Sequence, residues 1–170
     1  MPNGRRLIER VIAALRLQLP FYLDVSADAA ASGQAFVVVL LSGVSNGMGL
    51  VPRLGGAGIS AGVGAAVLGW LLWTAVVRVV ARPFGRRQPG RSLLRALGFG
   101  TAPGLFLIVG TVPILGTVVR VVVVPWLVAA TALAVQAVYD MSRWRAVLVS
   151  VLAFIVYLVL GAVSAYLATG

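Results

Sequence analysis

The sequence predicts an all-α fold: a polytopic membrane helix bundle of five transmembrane helices, preceded by an amphipathic helix at the membrane interface. Of the 170 residues, 61% are hydrophobic and the mean hydropathy is +1.04, well above the values of soluble domains. Only 11% are charged, too few to cover a soluble globule of this length. The apolar residues also fall into five long stretches, so lipid is the solvent that this composition requires.

Residues 1–33 are predicted to form a cytoplasmic amphipathic helix followed by a connector. One side of the helix carries apolar residues, namely Leu7, Ile8, Val11, Ile12, Leu15 and Leu19. The opposite side carries four arginines and Glu9, which is typical of a helix lying in the membrane interface. The alternative is that this helix packs on the protein's own cytoplasmic loops. Pro20 is expected to end the helix, and residues 21–33, with Asp24 and Asp28, to form a polar connector.

Residues 34–170 are predicted to form a single domain of five membrane-spanning helices. The apolar stretches run over about 34–51, 60–80, 92–112, 117–138 and 146–168. The first of them is near the lower length limit for crossing a bilayer, whereas the others are long enough to cross it. Glycines recur at four-residue spacing, and we interpret these pairs as internal helix packing rather than a dimer interface. The pairs are Gly43/Gly47, Gly58/Gly62 and Gly100/Gly104.

Two prolines fall inside predicted spans. The third span is interrupted at Pro103, and the fourth contains Pro125. Each proline frees a backbone carbonyl, and interrupted antiparallel helices expose such groups to substrates in transporters. The alternative is that both prolines are packing kinks, whose freed groups are satisfied by neighbouring helices. A re-entrant segment over residues 92–115 would reduce the number of spans to four.

The arginines predict the orientation. The chain has fourteen arginines, no lysine and four acids, for a net charge of +10. Twelve of the arginines lie in the N-terminal segment, around the second-to-third loop, or in the fourth-to-fifth loop. Cytoplasmic loops are rich in Lys and Arg, so the N-terminus is expected inside and, with five spans, the C-terminus outside.

The same composition limits the partners and the chemistry. A basic soluble protein would suggest nucleic acid, but a membrane-embedded chain has no broad solvated surface for a duplex. We expect anionic lipid headgroups at the cytoplasmic face as partners, with other membrane proteins or a second copy of the chain left open. The absence of cysteine and histidine excludes disulfides and the usual zinc and haem ligands.

Residues 95–146 resemble the Yip1 family, in particular its short bacterial members. Residues 98–99 read Gly-Phe and residues 102–105 read Ala-Pro-Gly-Leu, which is similar to the family's third-span motif. Residues 110–116, which include Pro113, resemble its G-x-x-P-x-L-G turn. The resemblance extends more diffusely over nearly the whole chain. It implies five spans, a cytoplasmic N-terminus and a place in the bacterial cytoplasmic membrane.

One departure and one difference limit what the resemblance implies. Bacterial members tend to read Ala-Val-Arg-Gln-Ala-Leu-Asp before the last loop, whereas residues 134–140 read Ala-Val-Gln-Ala-Val-Tyr-Asp. No role of that arginine carries over. Eukaryotic relatives act in Golgi and endoplasmic reticulum trafficking and associate with small prenylated GTPases through a cytoplasmic N-terminal region. The trafficking role is not expected here, because that region is only about thirty residues long.

The resemblance and the span ends together single out a set of candidate motif residues. They are Arg95, Gly98, Pro103, Gly104, Pro113, Gly116, Pro125, Gln136, Asp140, Arg143 and Arg145. Five of these are polar and lie at inner span ends, where they predict a cytoplasmic ion-pair cluster, with anionic-lipid binding as the alternative. The five are Arg95, Gln136, Asp140, Arg143 and Arg145.

Catalysis is not expected. The serines have no histidine partner, and intramembrane metalloprotease and aspartyl chemistries need residues that the chain lacks. We expect a non-enzymatic protein without cofactor or metal, acting in membrane organisation or as a partner of other membrane proteins. The alternative is a small lipid or solute translocator that uses the third and fourth spans.

Overall fold

The computed structural model describes residues 7–84, 90–112 and 115–169, with side chains described as far as residue 159 except at residue 53. Every element in these ranges is helical, which confirms the all-α class. The elements are α1 (Leu7–Leu15), α2 (Leu19–Ala27), α3 (Ala31–Met48), α4 (Val51–Leu54), α5 (Ala57–Ala81), α6 (Gly90–Gly100), a 3₁₀ segment (Ala102–Thr111), α7 (Leu115–Tyr139) and α8 (Arg143–Thr169). Pro113 lies outside the described residues.

Four helical stretches are long and apolar enough to cross a membrane. They are Ala31–Met48, Ala57–Ala81, Gly90–Thr111 and Leu115–Tyr139. These match the first four predicted spans, and the third combines α6 and the 3₁₀ segment over 22 residues. With 25 residues, α7 is about 37 Å long, more than the roughly 30 Å of hydrocarbon that it must cross.

The two glycine-rich spans α3 and α5 pack with their backbones in contact. A methyl group built on Gly62 would lie 2.4 Å from the Cα atom of Gly47, and one on Gly43 would lie 2.8 Å from the Cα atom of Val63. Small residues permit such an approach. Because no hydrophobic force brings helices together in lipid, the dispersion contacts made along both helices stabilise the pair. The predicted role of these glycines in internal packing is therefore confirmed.

The N-terminal region differs from the prediction. Residues 21–33 were expected to be a polar connector, but α2 occupies much of that range and buries Phe21, Tyr22 and Val25. Pro20 lies in the first turn of α2, where its missing N–H leaves no intrahelical bond unmade. It therefore helps to begin a helix instead of ending one. The chain reverses at Leu17, whose φ is 54°.

The contacts of α1 also differ from a helix lying along the membrane surface. The Trp126 indole N–H of α7 donates to the Leu15 carbonyl at 3.1 Å. Several apolar side chains of α1 pack against the buried core, namely Leu7, Val11, Ala13 and Leu15. The apolar face thus has protein to pack on, in line with the alternative prediction, although the contacts are with the spans rather than with loops. We call α1, the turn and α2 the N-terminal hairpin.

The two prolines behave differently. At Pro103 the third span changes from an α-helix to a 3₁₀ helix of ten residues, which confirms an interruption of the α-helix. Mid-helix 3₁₀ runs of this length are uncommon and often mark hinges or strain. By contrast, α7 continues unbroken through Pro125, so the predicted interruption of the fourth span is wrong. Neighbouring groups in a membrane helix can satisfy what one proline leaves unpaired.

Candidate functional site

A half-open cavity of about 350 Å³ lies between the helices of the bundle, where the third span changes from α to 3₁₀. Gly100, Thr101 and Gly104 line it from the third span, and Val124 and Leu127 line it from α7 on either side of Pro125. The two proline-bearing spans therefore do meet at one cavity. Neither proline itself is among the described lining residues, because Pro103 is buried in the bundle and Pro125 is exposed on its surface.

The cavity exists because α5 packs on α3 and α8, α7 packs on α8 and on the third span, and α5 and α7 make few contacts with each other. Aromatic side chains form the wall between α5 and α8. The Trp73 ring meets the rings of Phe154 and Tyr157 edge-to-face, with centroid distances of 6.4 Å and 5.5 Å. Both are favourable aromatic geometries. Gly69 has no side chain, and a methyl group there would lie 3.5 Å from the Tyr157 hydroxyl. The hydroxyl thus reaches α5 across the cavity.

Most polar groups of the lining are satisfied by the protein itself. The Ser42 hydroxyl donates to the Thr101 carbonyl at 2.9 Å, beside the change of helix type. The Thr101 hydroxyl donates to the Gly98 carbonyl at 2.7 Å, and that of Thr131 to the Leu127 carbonyl at 2.9 Å. This hydrogen bond joins α3 to the third span beside Pro103, although the carbonyl that Pro103 itself frees in an α-helix is that of Phe99.

Two polar groups of the lining are left over. The Asn46 amide and the Tyr157 hydroxyl make no side-chain hydrogen bond to another residue in the described ranges. A polar group without a partner in hydrocarbon costs several kcal/mol. Both groups are therefore available to a ligand or to water. Asn46 lies two residues before the end of α3, near the membrane surface, whereas Tyr157 lies deeper.

The lining has the chemistry of an amphiphile site. None of the described residues that line the cavity is charged, and most are aliphatic or aromatic. Its volume falls at the lower end of the roughly 300–1,000 Å³ of ligand pockets. An apolar chain can occupy the wall of Leu107, Val124 and Leu127, with a hydrogen-bonding group of the same molecule at Asn46.

The predicted cluster at the inner span ends is divided by the structure. Arg95 is buried beside the N-terminal hairpin, where its guanidinium donates to the Ser26 carbonyl and to the Ser92 hydroxyl. The Arg95 Nε atom is buried and has no hydrogen-bond partner among the described residues. Arg95 therefore fixes the end of α2 rather than joining Asp140.

An ion pair that was not predicted closes the base of the hairpin. The Arg10 guanidinium donates to the Asp28 carboxylate at 2.6 Å. This hydrogen bond holds the pKa of Asp28 below its usual value, and the Ala30 backbone N–H and the charge of Arg95 act in the same direction, against partial desolvation. Arg10 and Asp28 are 18 residues apart in the sequence, so no local pattern could reveal the pair.

The other members of the predicted cluster lie at the turn between α7 and α8. Asp140 and Arg145 line a recess of about 390 Å³ together with Phe84 and Ser142. They make no ion pair with each other in the part of the chain that the structure describes. Asp140 has a left-handed φ of 48°, a conformation that Asp tolerates better than most residues.

The remaining motif residues have packing roles or lie apart. Arg143 begins α8 and is exposed, and Gln136 is half-buried on α7. Gly98 faces Ala35, because a methyl group on Gly98 would lie 2.9 Å from the Ala35 Cβ atom. Gly104 and Gly116 are close-packed as well: added methyl groups would meet the Ser42 side chain at 3.3 Å and the Gly110 carbonyl oxygen at 3.0 Å.

The sequence analysis did not identify Asn46 or Tyr157 as site residues. Asn46 is an amide near the end of an apolar span, which by itself does not distinguish a ligand-binding residue from one at a helix contact. Tyr157 stands in a predicted span that carries no charge, so a hydroxyl there was a signal of a polar partner or ligand. The two lie more than a hundred residues apart, and only the folded chain brings them to one cavity.

Long apolar helices packed side by side, with charge concentrated at their ends, define a multi-pass α-helical membrane protein. A family model, the Yip1 domain, matches residues 17–165, from the hairpin turn to the last helix. The chain belongs to the Yip1 domain family. No curated protein and no solved structure matches it at the significance required.

Proposed function

We propose that this protein is a non-enzymatic integral protein of the cytoplasmic membrane that acts in membrane organisation by holding lipid. The observation that carries the proposal is the cavity at the α-to-3₁₀ change, with its uncharged lining and the two free polar groups of Asn46 and Tyr157. Partnership with other membrane proteins is a second route to the same role, since a bound lipid can be presented to a neighbour.

The proposal includes five spans with the N-terminus in the cytoplasm and the C-terminus outside. With 27 residues, α8 is about 40 Å long and runs through the fifth apolar stretch of the sequence. Arginines mark the ends assigned to the cytoplasm. A methyl group on Gly90, at the start of α6, would lie 2.6 Å from an Arg78 nitrogen near the end of α5. The ends of these two spans therefore meet at one basic surface.

The cavity favours one acyl chain of a lipid over a polar solute. No charge is available among the described lining residues to bind an ionic solute, and the volume is too small for a whole phospholipid. An ester or hydroxyl group at the polar end of the lipid would accept or donate a hydrogen bond at Asn46. The chain below it would contact Leu107 and Leu127, and the Tyr157 hydroxyl would serve a second polar atom or a water molecule.

Photo-crosslinking tests this function. The purified protein in nanodiscs receives a phospholipid with a photoactivatable group midway along one acyl chain, and the crosslinked peptides are mapped. We expect crosslinks in residues 97–107 and 124–131. Val128→Phe fills the cavity, whereas Val121→Phe places the same ring on the lipid-facing surface of the same helix. Equal crosslinking of these segments in both variants would contradict the proposal.

Translocation is a second candidate, favoured by the ten-residue 3₁₀ run beside the cavity, since such a run can act as a hinge. The continuity of α7 removes the other half of the predicted transporter-like pair. Liposomes with a fluorescent lipid distinguish the two functions. Lipid movement between leaflets faster than in protein-free liposomes, and slowed by Val128→Phe, would favour translocation; crosslinking without movement would favour binding.

A further inference from the structure

The depth of the N-terminal hairpin is fixed by its contacts with α6. The Ser26 carbonyl, at the end of α2, accepts a hydrogen bond from Arg95. Phe21 precedes Ser26 by five residues in α2, and Phe99 follows Arg95 by four residues in α6. The rings of Phe21 and Phe99 meet edge-to-face, with their centroids 5.3 Å apart. The two helices are therefore antiparallel neighbours. Because α6 begins at the inner end of the third span, α2 runs from within the bundle toward that end.

The tip of the hairpin lies at the middle of the spans. Leu15, at the end of α1, accepts the hydrogen bond from Trp126, thirteen residues before the end of α7 at Tyr139. At 1.5 Å per residue, Trp126 lies about 20 Å from that end of a helix of about 37 Å. The Arg10–Asp28 ion pair holds the other end of α1 at the base of α2. The hairpin thus reaches about halfway across.

The two halves of the described bundle consequently differ in width. Besides α3, α5, α7 and α8, the half that contains α6 holds α1 and α2, whereas the other half holds the 3₁₀ segment and the single-turn helix α4. Two extra helices of about 10–12 Å diameter add on the order of 160–230 Å² of cross-section to the first half. The molecule is wedge-shaped along the membrane normal.

Acyl chains of that one leaflet cover the outer surface of the hairpin. Three apolar side chains face away from the protein: Ile8 is 69% exposed, Ile12 43% and Leu23 48%. Glu9 and Asp24 are exposed as well, so the outer surface is amphipathic, as in helices that lie between the acyl chains and the headgroups of one leaflet. The charged pair at the base lies toward the headgroups. Arg16 is exposed beside the tip, where a guanidinium draws water and headgroups inward and thins the leaflet.

We propose that the N-terminal hairpin is a wedge in the cytoplasmic leaflet, so that the protein concentrates where the membrane is convex toward the cytoplasm. A body that is wider in one leaflet fits best where that leaflet is expanded, and amphipathic helices inserted in one leaflet respond to curvature in this way. The inference rests on the cytoplasmic N-terminus of the proposed function. It does not depend on the cavity, which lies on the other side of the third span from the hairpin turn.

Curvature sorting of the full-length protein tests the wedge. The chain lacks cysteine, so Ser142→Cys, at the turn between α7 and α8, can be labelled from outside with an impermeant dye. The dye marks copies whose cytoplasmic end faces outward in giant vesicles. On a narrow membrane tether pulled from the vesicle, these copies should be enriched about twofold or more over the vesicle surface. Copies in the opposite orientation, labelled through Thr117→Cys, should be depleted.

Matched variants separate the hairpin surface from the rest of the bundle. Ile8→Asn with Ile12→Asn makes the lipid-facing hairpin surface polar without touching the core, and should abolish the enrichment. Val121→Asn, on an α7 residue that is 67% exposed, should leave it unchanged. Equal density of labelled copies on tether and vesicle would overturn the wedge while leaving acyl-chain crosslinking intact. Enrichment of the opposite orientation would overturn the cytoplasmic placement of the hairpin.

Discussion

Gly62→Ala is expected to force α3 and α5 apart. A methyl group on Gly62 would lie 2.4 Å from the Cα atom and 2.5 Å from the N atom of Gly47, and 2.6 Å from the Gly43 carbonyl oxygen. All three are backbone atoms, so no side-chain rotation can relieve the overlap. Ordinary contact begins at 3.4 Å, so the helices must separate by about 1 Å at this point.

Two opposing contributions decide how much Gly62→Ala changes the unfolding free energy. Overpacking of this kind costs about 1–3 kcal/mol. Alanine in place of a helical glycine contributes about 0.8–1 kcal/mol through helix propensity. Gly64→Ala, two residues further along α5, gains the same propensity, and its methyl group meets nothing within 4 Å. The difference in unfolding free energy between the two variants therefore isolates the steric term, about 1–3 kcal/mol.

Reversible unfolding in detergent or bicelles measures this difference, with acyl-chain crosslinking as a second readout. Because α3 carries Asn46 and α5 carries Trp73, separating these helices displaces two walls of the cavity. Crosslinking should fall in Gly62→Ala and persist in Gly64→Ala. Equal stability of the two variants would contradict the close backbone approach of α3 and α5, and with it the position of these two cavity walls.

Three further predictions address the topology, the third span and the hairpin. A reporter active only in the cytoplasm, fused after residue 170, should stay silent, and activity there would refute the five-span topology. Pro103→Ala should change the unfolding free energy by less than about 1–2 kcal/mol, since helix propensity gained offsets packing lost; loss of lipid crosslinking with the fold intact would instead show that the 3₁₀ segment itself serves the ligand. The hydrogen bond from Arg10 lowers the pKa of Asp28. The ion pair therefore stabilises the folded protein at pH values above the unfolded-state pKa, and this stabilisation is lost as the pH falls through the folded-state pKa. A spin label at Leu17→Cys should therefore keep its membrane depth from pH 8 to 5 and move only below about pH 4; a change near pH 6 would mean that another group holds the hairpin.

The spans could be predicted from the sequence because each satisfies its own backbone hydrogen bonds. A helix in lipid needs only length and apolar side chains, both of which are local properties. The glycine contacts of α3 and α5 were predictable for the same reason, since four-residue spacing places Gly43 and Gly47 on one face. At Pro125 the sequence left an interruption and a packing kink open, because the effect of the proline depends on neighbours of α7 that the sequence does not place; the unbroken α7 favours the second.

The hairpin could not be predicted, because long-range contacts decide it. Pro20 is compatible with both the end and the first turn of a helix, and Asp28 with both a solvated connector and an ion pair. Burial of Phe21 against Phe99 and the pairing of Asp28 with Arg10 select the second option in each case. The same limit applied to the cavity, since its two free polar groups come from α3 and α8, which are far apart in the sequence.

The hairpin and the cavity act on the lipid by different means, and the third span lies between them. Its α-helical part holds the hairpin through Arg95 and Phe99, whereas the start of its 3₁₀ part lines the cavity through Gly104. The junction at Thr101 accepts the hydrogen bond from Ser42 of α3. The third span therefore contacts both features, with its change of helix type between the two contacts.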